Sequence, residues 1–149
     1  LAHTTSTPIA SHSNCRALLE GESNPAWQRH LADETIAEIG RRGGIVGLNL
    51  VRNFIRHGLD PNDSTDRPTI DEAINHVEHV CAIMGHRKGV GLGSDLDGGI
   101  TANDLPHGID HPRDYEKLAS ALRARGWNDE EIHGFAWNNW ATFWGRSQP

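Results

Sequence analysis

Cysteine is scarce in this sequence: Cys15 and Cys81 are the two thiols in 149 residues. They form neither a CxxC motif nor a disulfide framework, and two unpaired thiols favour a reducing, cytoplasmic compartment. Met84 is the sole methionine. No apolar run approaches the length of a membrane-spanning helix. The opening Leu1-Ala2-His3-Thr4-Thr5 lacks the basic-then-apolar order of a secretory signal. The final Arg146-Ser147-Gln148-Pro149 lacks the hydrophobic tail of a lipid-anchor signal. A signal upstream of Leu1 would leave no trace here, so localisation stays open. Basic charge is also short: 14 Lys and Arg stand against 20 Asp and Glu, a net charge of −6. The acidic residues are scattered, which argues against nucleic acid or an anionic membrane as partner. Internal repeats and low-complexity segments are missing too, which excludes solenoids and disordered tails.

What is present is an alternation of strands and helices. Apolar runs predict strands near 8–12, 44–50 and 88–94, and helical spacing predicts helices over 33–42, 69–84, 111–125 and 128–144. Ile45-Val46-Gly47-Leu48-Asn49-Leu50 is apolar almost throughout, as in a strand covered on both faces. Ile70, Ala73, Ile74, Val77, Val80, Cys81 and Met84 recur at helical spacing behind Pro68. Arg41-Arg42-Gly43-Gly44 closes the preceding helix with basic residues and then glycine. Such alternation implies an α/β fold with a parallel sheet of about three strands. The length predicts a single domain over 1–149, short of the roughly 250 residues of a full (β/α)₈ barrel. The polar segments 52–67 and 21–26 read as lids or insertions.

Two strand ends carry chemistry. Pro8-Ile9-Ala10-Ser11-His12-Ser13-Asn14 stops at an imidazole, and Val90-Gly91-Leu92-Gly93-Ser94-Asp95-Leu96-Asp97-Gly98 stops at carboxylates. Strand C-termini open onto the active face of a β/α barrel. His12 there can ligate a divalent metal, and Asp95 can bind metal or act as general base on a water. Asp97, before two glycines, suits an Asx turn. Arg29 can clamp a carboxylate with parallel hydrogen bonds; Arg16 faces the same choice between clamp and solvated surface. Ten histidines invite a metal reading, but His76 and His79 do not make HExxH and read as helix-surface or rim residues. Trp127, Trp137, Trp140 and Trp144 read as core and helix-packing residues.

These segments together resemble the membrane dipeptidase (renal dipeptidase-like) family of zinc metallopeptidases. Arg29-His30-Leu31-Ala32-Asp33-Glu34, Asn75-His76-Val77-Glu78-His79-Val80 and Asn138-Asn139-Trp140 add to the likeness, which runs over nearly the whole chain. The resemblance implies the C-terminal part of a (β/α)₈ TIM barrel, two zinc ions in the complete fold and a dipeptide substrate, and it is compatible with a homodimer of that fold. It implies His12 as a metal ligand at the sixth strand, and Asp95 as the strand-eight carboxylate that acts on the water and steers the substrate amine. It implies Arg29 as the holder of the substrate carboxylate. The remaining metal ligands of the family have no counterpart here. His3 lies nine positions before His12, too close for a strand crossover between them. The resemblance therefore predicts a zinc-dependent dipeptidase fragment, inactive alone. The alternatives are another metal-dependent amidohydrolase of the same barrel type and a non-catalytic half-barrel fragment.

Overall fold

The computed structural model describes residues 4–19, 27–96 and 98–147. His3, the 21–26 segment and Asp97 lie outside the described residues. Two strands, β1 (Val46–Leu48) and β2 (Val90–Leu92), pair in parallel with Val46 opposite Val90 and Leu48 opposite Leu92. The segment around Ala10 adds to the other side of β1. Ala10 N donates to Ile45 O at 2.9 Å, Gly47 N to Ala10 O at 2.8 Å and Ser13 N to Gly47 O at 2.9 Å. The expected parallel order of three chain segments is therefore present, although the 8–12 segment pairs through a single bridge residue.

On the side of the Ala10 segment, β1 ends before its apolar run does for a local reason. Beyond Leu48 the Asn14 side chain captures the backbone of Asn49: Asn49 N donates to Asn14 Oδ1 at 2.9 Å, and Asn14 Nδ2 donates to Asn49 O at 3.0 Å. A side chain there replaces a neighbouring strand.

Among the described residues, five α-helical segments precede the C-terminal one. They are α1 (Asp33–Arg41), the single turn α2 (Arg52–Ile55), α3 (Ile70–Met84), α4 (Tyr115–Ala124) and α5 (Asp129–His133); α6 spans Asn139–Ser147. α1 carries Asp33 and Glu34 in its first turn, where the helix dipole favours negative charge. Gly43 follows its end at φ 73°, the left-handed conformation that glycine adopts without a side-chain penalty. α3 starts at a reciprocal capping box between Thr69 and Glu72. The expected helix over 111–125 begins as a 3₁₀ turn, Pro112–Asp114, before α4. The expected helix over 128–144 is interrupted by a π-helical turn, Gly134–Asn138.

One face of the sheet carries Val46, Leu48, Leu50 and Val90, buried with Ile36 and Ile39 of α1 and Ala73, Ile74, Val77 and Val80 of α3. The other face carries glycine. A Cβ on Gly91 would collide with the Trp140 indole, and one on Gly47 or Gly93 with the Ser11 carbonyl oxygen. The missing side chains make room for the indole, whose Nε1 donates to Leu92 O at 3.1 Å. The π-helical turn offsets α6 so that Asn139 Nδ2 also reaches Val90 O at 2.8 Å. Trp127 is buried as expected, but Trp137 and Trp144 are 61% and 52% exposed. The expectation that they pack in the core is corrected: both lie largely in solvent, and among the described residues the tryptophan packed on the sheet from this helix is Trp140.

Candidate functional site at the strand ends

The C-terminal ends of the three parallel segments bring Asn14, Asn49 and Asp95 together. Asn49 is fully buried at the end of β1. Its Nδ2 donates to Asp95 Oδ2 at 2.6 Å, and its Oδ1 accepts from Val51 N at 2.7 Å. Asp95 has φ 63°, a left-handed conformation that Asp and Asn tolerate better than most residues. Its predecessor Ser94 accepts a 2.8 Å hydrogen bond from the Tyr115 hydroxyl of α4.

His12 is exposed. Its Nδ1 lies 2.7 Å from Ser11 Oγ, and its carbonyl accepts from Arg29 Nη2 at 3.0 Å. With Nδ1 protonated toward Ser11, Nε2 is free to act as a ligand. Arg29 stacks its guanidinium over the Phe54 ring, 4.3 Å from the centroid. The other end of its fork, Nη1, is buried and has no hydrogen-bond partner among the described residues. Arg29 and His12 are thus in contact, while Asp95 joins the rim through Asn49 and Asn14. Arg16 neither faces solvent freely nor joins this cluster: it donates to the His30 carbonyl at 3.1 Å and stacks over Trp27.

Two buried histidines sit behind the rim. His30 meets the Phe54 ring edge-on, with 5.2 Å between centroids, and neither of its ring nitrogens has a partner among the described residues. Burial, followed by the nearby Arg29, pushes its pKa down to about 4. His76 was expected on the helix surface and is instead 1% exposed. Its Nδ1 accepts from Cys15 N at 3.1 Å, so its Nε2–H donates to Ile55 O, also at 3.1 Å. Burial holds its pKa down at about 4. His76 borders the apolar stripe of Ala73, Val77 and Val80, and both its partners come from other parts of the chain. His79 remains at the helix edge, 2.7 Å from Asp33.

Among the described residues, no group of three or more His, Cys, Asp or Glu is placed to hold a metal ion. The donor set fits one ligand, His12, and not a closed coordination shell. A cavity of about 570 Å³ lies at the opposite ends of the strands, beside Gly43, Ile45, Lys88 and Glu130, and takes no part in this rim.

The family model for membrane dipeptidases, peptidase family M19, matches residues 1–148. The chain belongs to the membrane dipeptidase family. A Klebsiella pneumoniae protein from the pqqA 5′ region is 33% identical over 93% of this chain and 46% of its own length. An uncharacterized dipeptidase of Schizosaccharomyces pombe is 30% identical over 94% of this chain and 30% of its own. Among solved structures, a Rhodobacter sphaeroides metallopeptidase bound to a phosphinate mimic of L-Ala-D-Ala is similar, with 27% identity and a TM-score of 0.72. That match covers 92% of this chain and 35% of the peptidase. The chain thus spans less than half the length of these family members.

Proposed function

We propose that this chain forms the C-terminal part of a (β/α)₈ barrel and carries part of the active rim of a zinc-dependent dipeptidase. The observation that carries the reading is the meeting of Asn14, Asn49 and Asp95 at the C-terminal ends of adjacent parallel segments, with Arg29 held on the carbonyl of His12 two residues before Asn14, at the end where β/α barrels place their chemistry. Membership of the dipeptidase family supports it.

In this reading Arg29 binds the substrate carboxylate. Its Nη2 is held by the His12 carbonyl and its guanidinium is stacked over Phe54, which fixes the cation that a carboxylate would pair with. Fixing a free carboxylate next to the reacting end restricts substrates to very short peptides. Asp95 accepts and returns protons at the attacking water and the substrate amine, and Asn49 holds one of its oxygens. His12 is the one metal ligand this chain supplies among its described residues. When bound, a zinc ion polarises the scissile carbonyl and lowers the pKa of its water.

Because one imidazole does not close a metal shell, the isolated chain is expected to be silent toward dipeptides with added zinc. Dipeptide hydrolysis is expected on mixing it with the part of the Rhodobacter sphaeroides peptidase that the match leaves uncovered, and loss of that hydrolysis with Arg29→Ala. Preference of the mixture for N-acyl amino acids would move the reading to another amidohydrolase. Robust turnover by the pure chain would overturn the claim that its own residues are insufficient.

A further inference from the structure

Asn49 is fully buried, and its side-chain amide has no freedom to flip. The backbone N–H of Val51 points at the Asn49 side chain from 2.7 Å and needs an acceptor there, which only Oδ1 provides. Nδ2 must therefore face Asp95, and it lies 2.6 Å from Oδ2. The backbone of Asn49 is fixed in turn by Asn14, which bonds its N–H and its carbonyl and also donates to Phe54 O at 2.9 Å. Asp95 needs such an anchor, since its backbone is in the left-handed region at φ 63°. Tyr115 steadies the preceding residue from the other side. Among the described residues Oδ1 of Asp95 makes no hydrogen bond, so Asn49 decides which oxygen remains available.

We propose that Asn49 is a positioning residue: it occupies Oδ2 of Asp95 with an N–H donor and so presents Oδ1 to the reacting groups. This rests on the reading of Asp95 as the residue that moves protons. The amide is well suited to the task, because a donor at this position complements a carboxylate, whereas a second carboxylate would oppose it.

The near-isosteric variant N49D tests this. It keeps the acceptor for Val51 N and the backbone bonds to Asn14, and it replaces the donor toward Asp95 with a second carboxyl oxygen. Carbon-13 NMR of the side-chain carboxyls, followed against pH in the isolated 149-residue chain, reads the pair directly. In N49D the two carboxyls are expected to titrate as a coupled pair, with one midpoint raised by at least about one pH unit. Two independent, ordinary titrations would overturn the juxtaposition. The swap N49D/D95N restores a donor–acceptor pair of reversed polarity. Thermal unfolding of the swap is expected to return toward the parent, which keeps the test interpretable if N49D alone folds poorly. In the complemented dipeptide assay, N49D is expected to lose turnover about 10-fold or more and to displace the acid limb of the pH profile upward, and the swap is expected to stay inactive. A complemented N49D with the parent's turnover and pH profile would overturn the positioning role and leave the dipeptidase reading standing. A parent that hydrolyses nothing when complemented would overturn the dipeptidase reading, and the titration would still decide the Asn49–Asp95 contact.

Discussion

Asn14 bonds both the N–H and the carbonyl of Asn49, at 2.9 and 3.0 Å, across 35 residues of sequence. The pairing ties the end of the Ala10 segment to the end of β1, and through Asn49 to Asp95. A polar side chain thus does at the strand ends what a neighbouring strand does in the middle of a sheet. Each group it satisfies is buried, so each would cost roughly 1–3 kcal/mol if left without a partner.

Asn14→Ala is therefore expected to destabilise the chain by about 2–4 kcal/mol, more than a typical surface substitution. Urea unfolding of the variant beside the parent measures it. A change within about 0.5 kcal/mol would show that the strand ends find other partners.

Stability should fall with acid through two buried imidazoles. His30 and His76 are both held near a pKa of about 4 in the fold, against an ordinary value of 6.5. Between those values the unfolded chain binds more protons than the folded one, so stability rises with pH across that window and is lost as pH falls through it. Well above pH 7 both are uncharged in either state and contribute nothing to the slope. The loss by pH 4 is on the order of 3 kcal/mol for each. His76→Gln, measured by urea unfolding at pH 7 and pH 4.5, is expected to be less stable at neutral pH and to show a shallower fall toward acid.

The sequence makes the α1 and α3 helices and the parallel order legible, because apolar spacing, Gly43 and Pro68 act within a few residues of where they are read. It also places His12, Asn49 and Asp95 at the ends of strands, since apolar runs stop visibly there. What it does not show are roles set by partners far along the chain. His76 looks like a surface residue until Cys15 and Ile55 supply its hydrogen bonds from 61 and 21 residues away. Trp137 and Trp144 look like core residues because a tryptophan at helical spacing usually packs, and nothing local distinguishes them from Trp140, which rests on the sheet. Asn14 reads only as one more polar residue closing the His12 segment, and the arrival of Asn49 reveals its use.

Gly91 is where sheet and C-terminal helix depend on each other most directly. A Cβ there would collide with the Trp140 indole, which is itself anchored by its Nε1 hydrogen bond to Leu92 O at 3.1 Å. Gly91 is in the strand interior, where alanine has the better intrinsic propensity by roughly 0.5–1 kcal/mol, so any net loss must come from overpacking. Gly91→Ala is expected to destabilise by about 1–3 kcal/mol. Trp140→Leu is expected to destabilise too, through lost packing and the lost donor. If the two residues oppose each other as described, the double variant should be more stable than the sum of the single effects by at least about 0.5 kcal/mol, the size of coupling seen between residues in contact. Urea unfolding of the four proteins gives that coupling, and strict additivity would mean that the indole does not rest on the glycine face in solution.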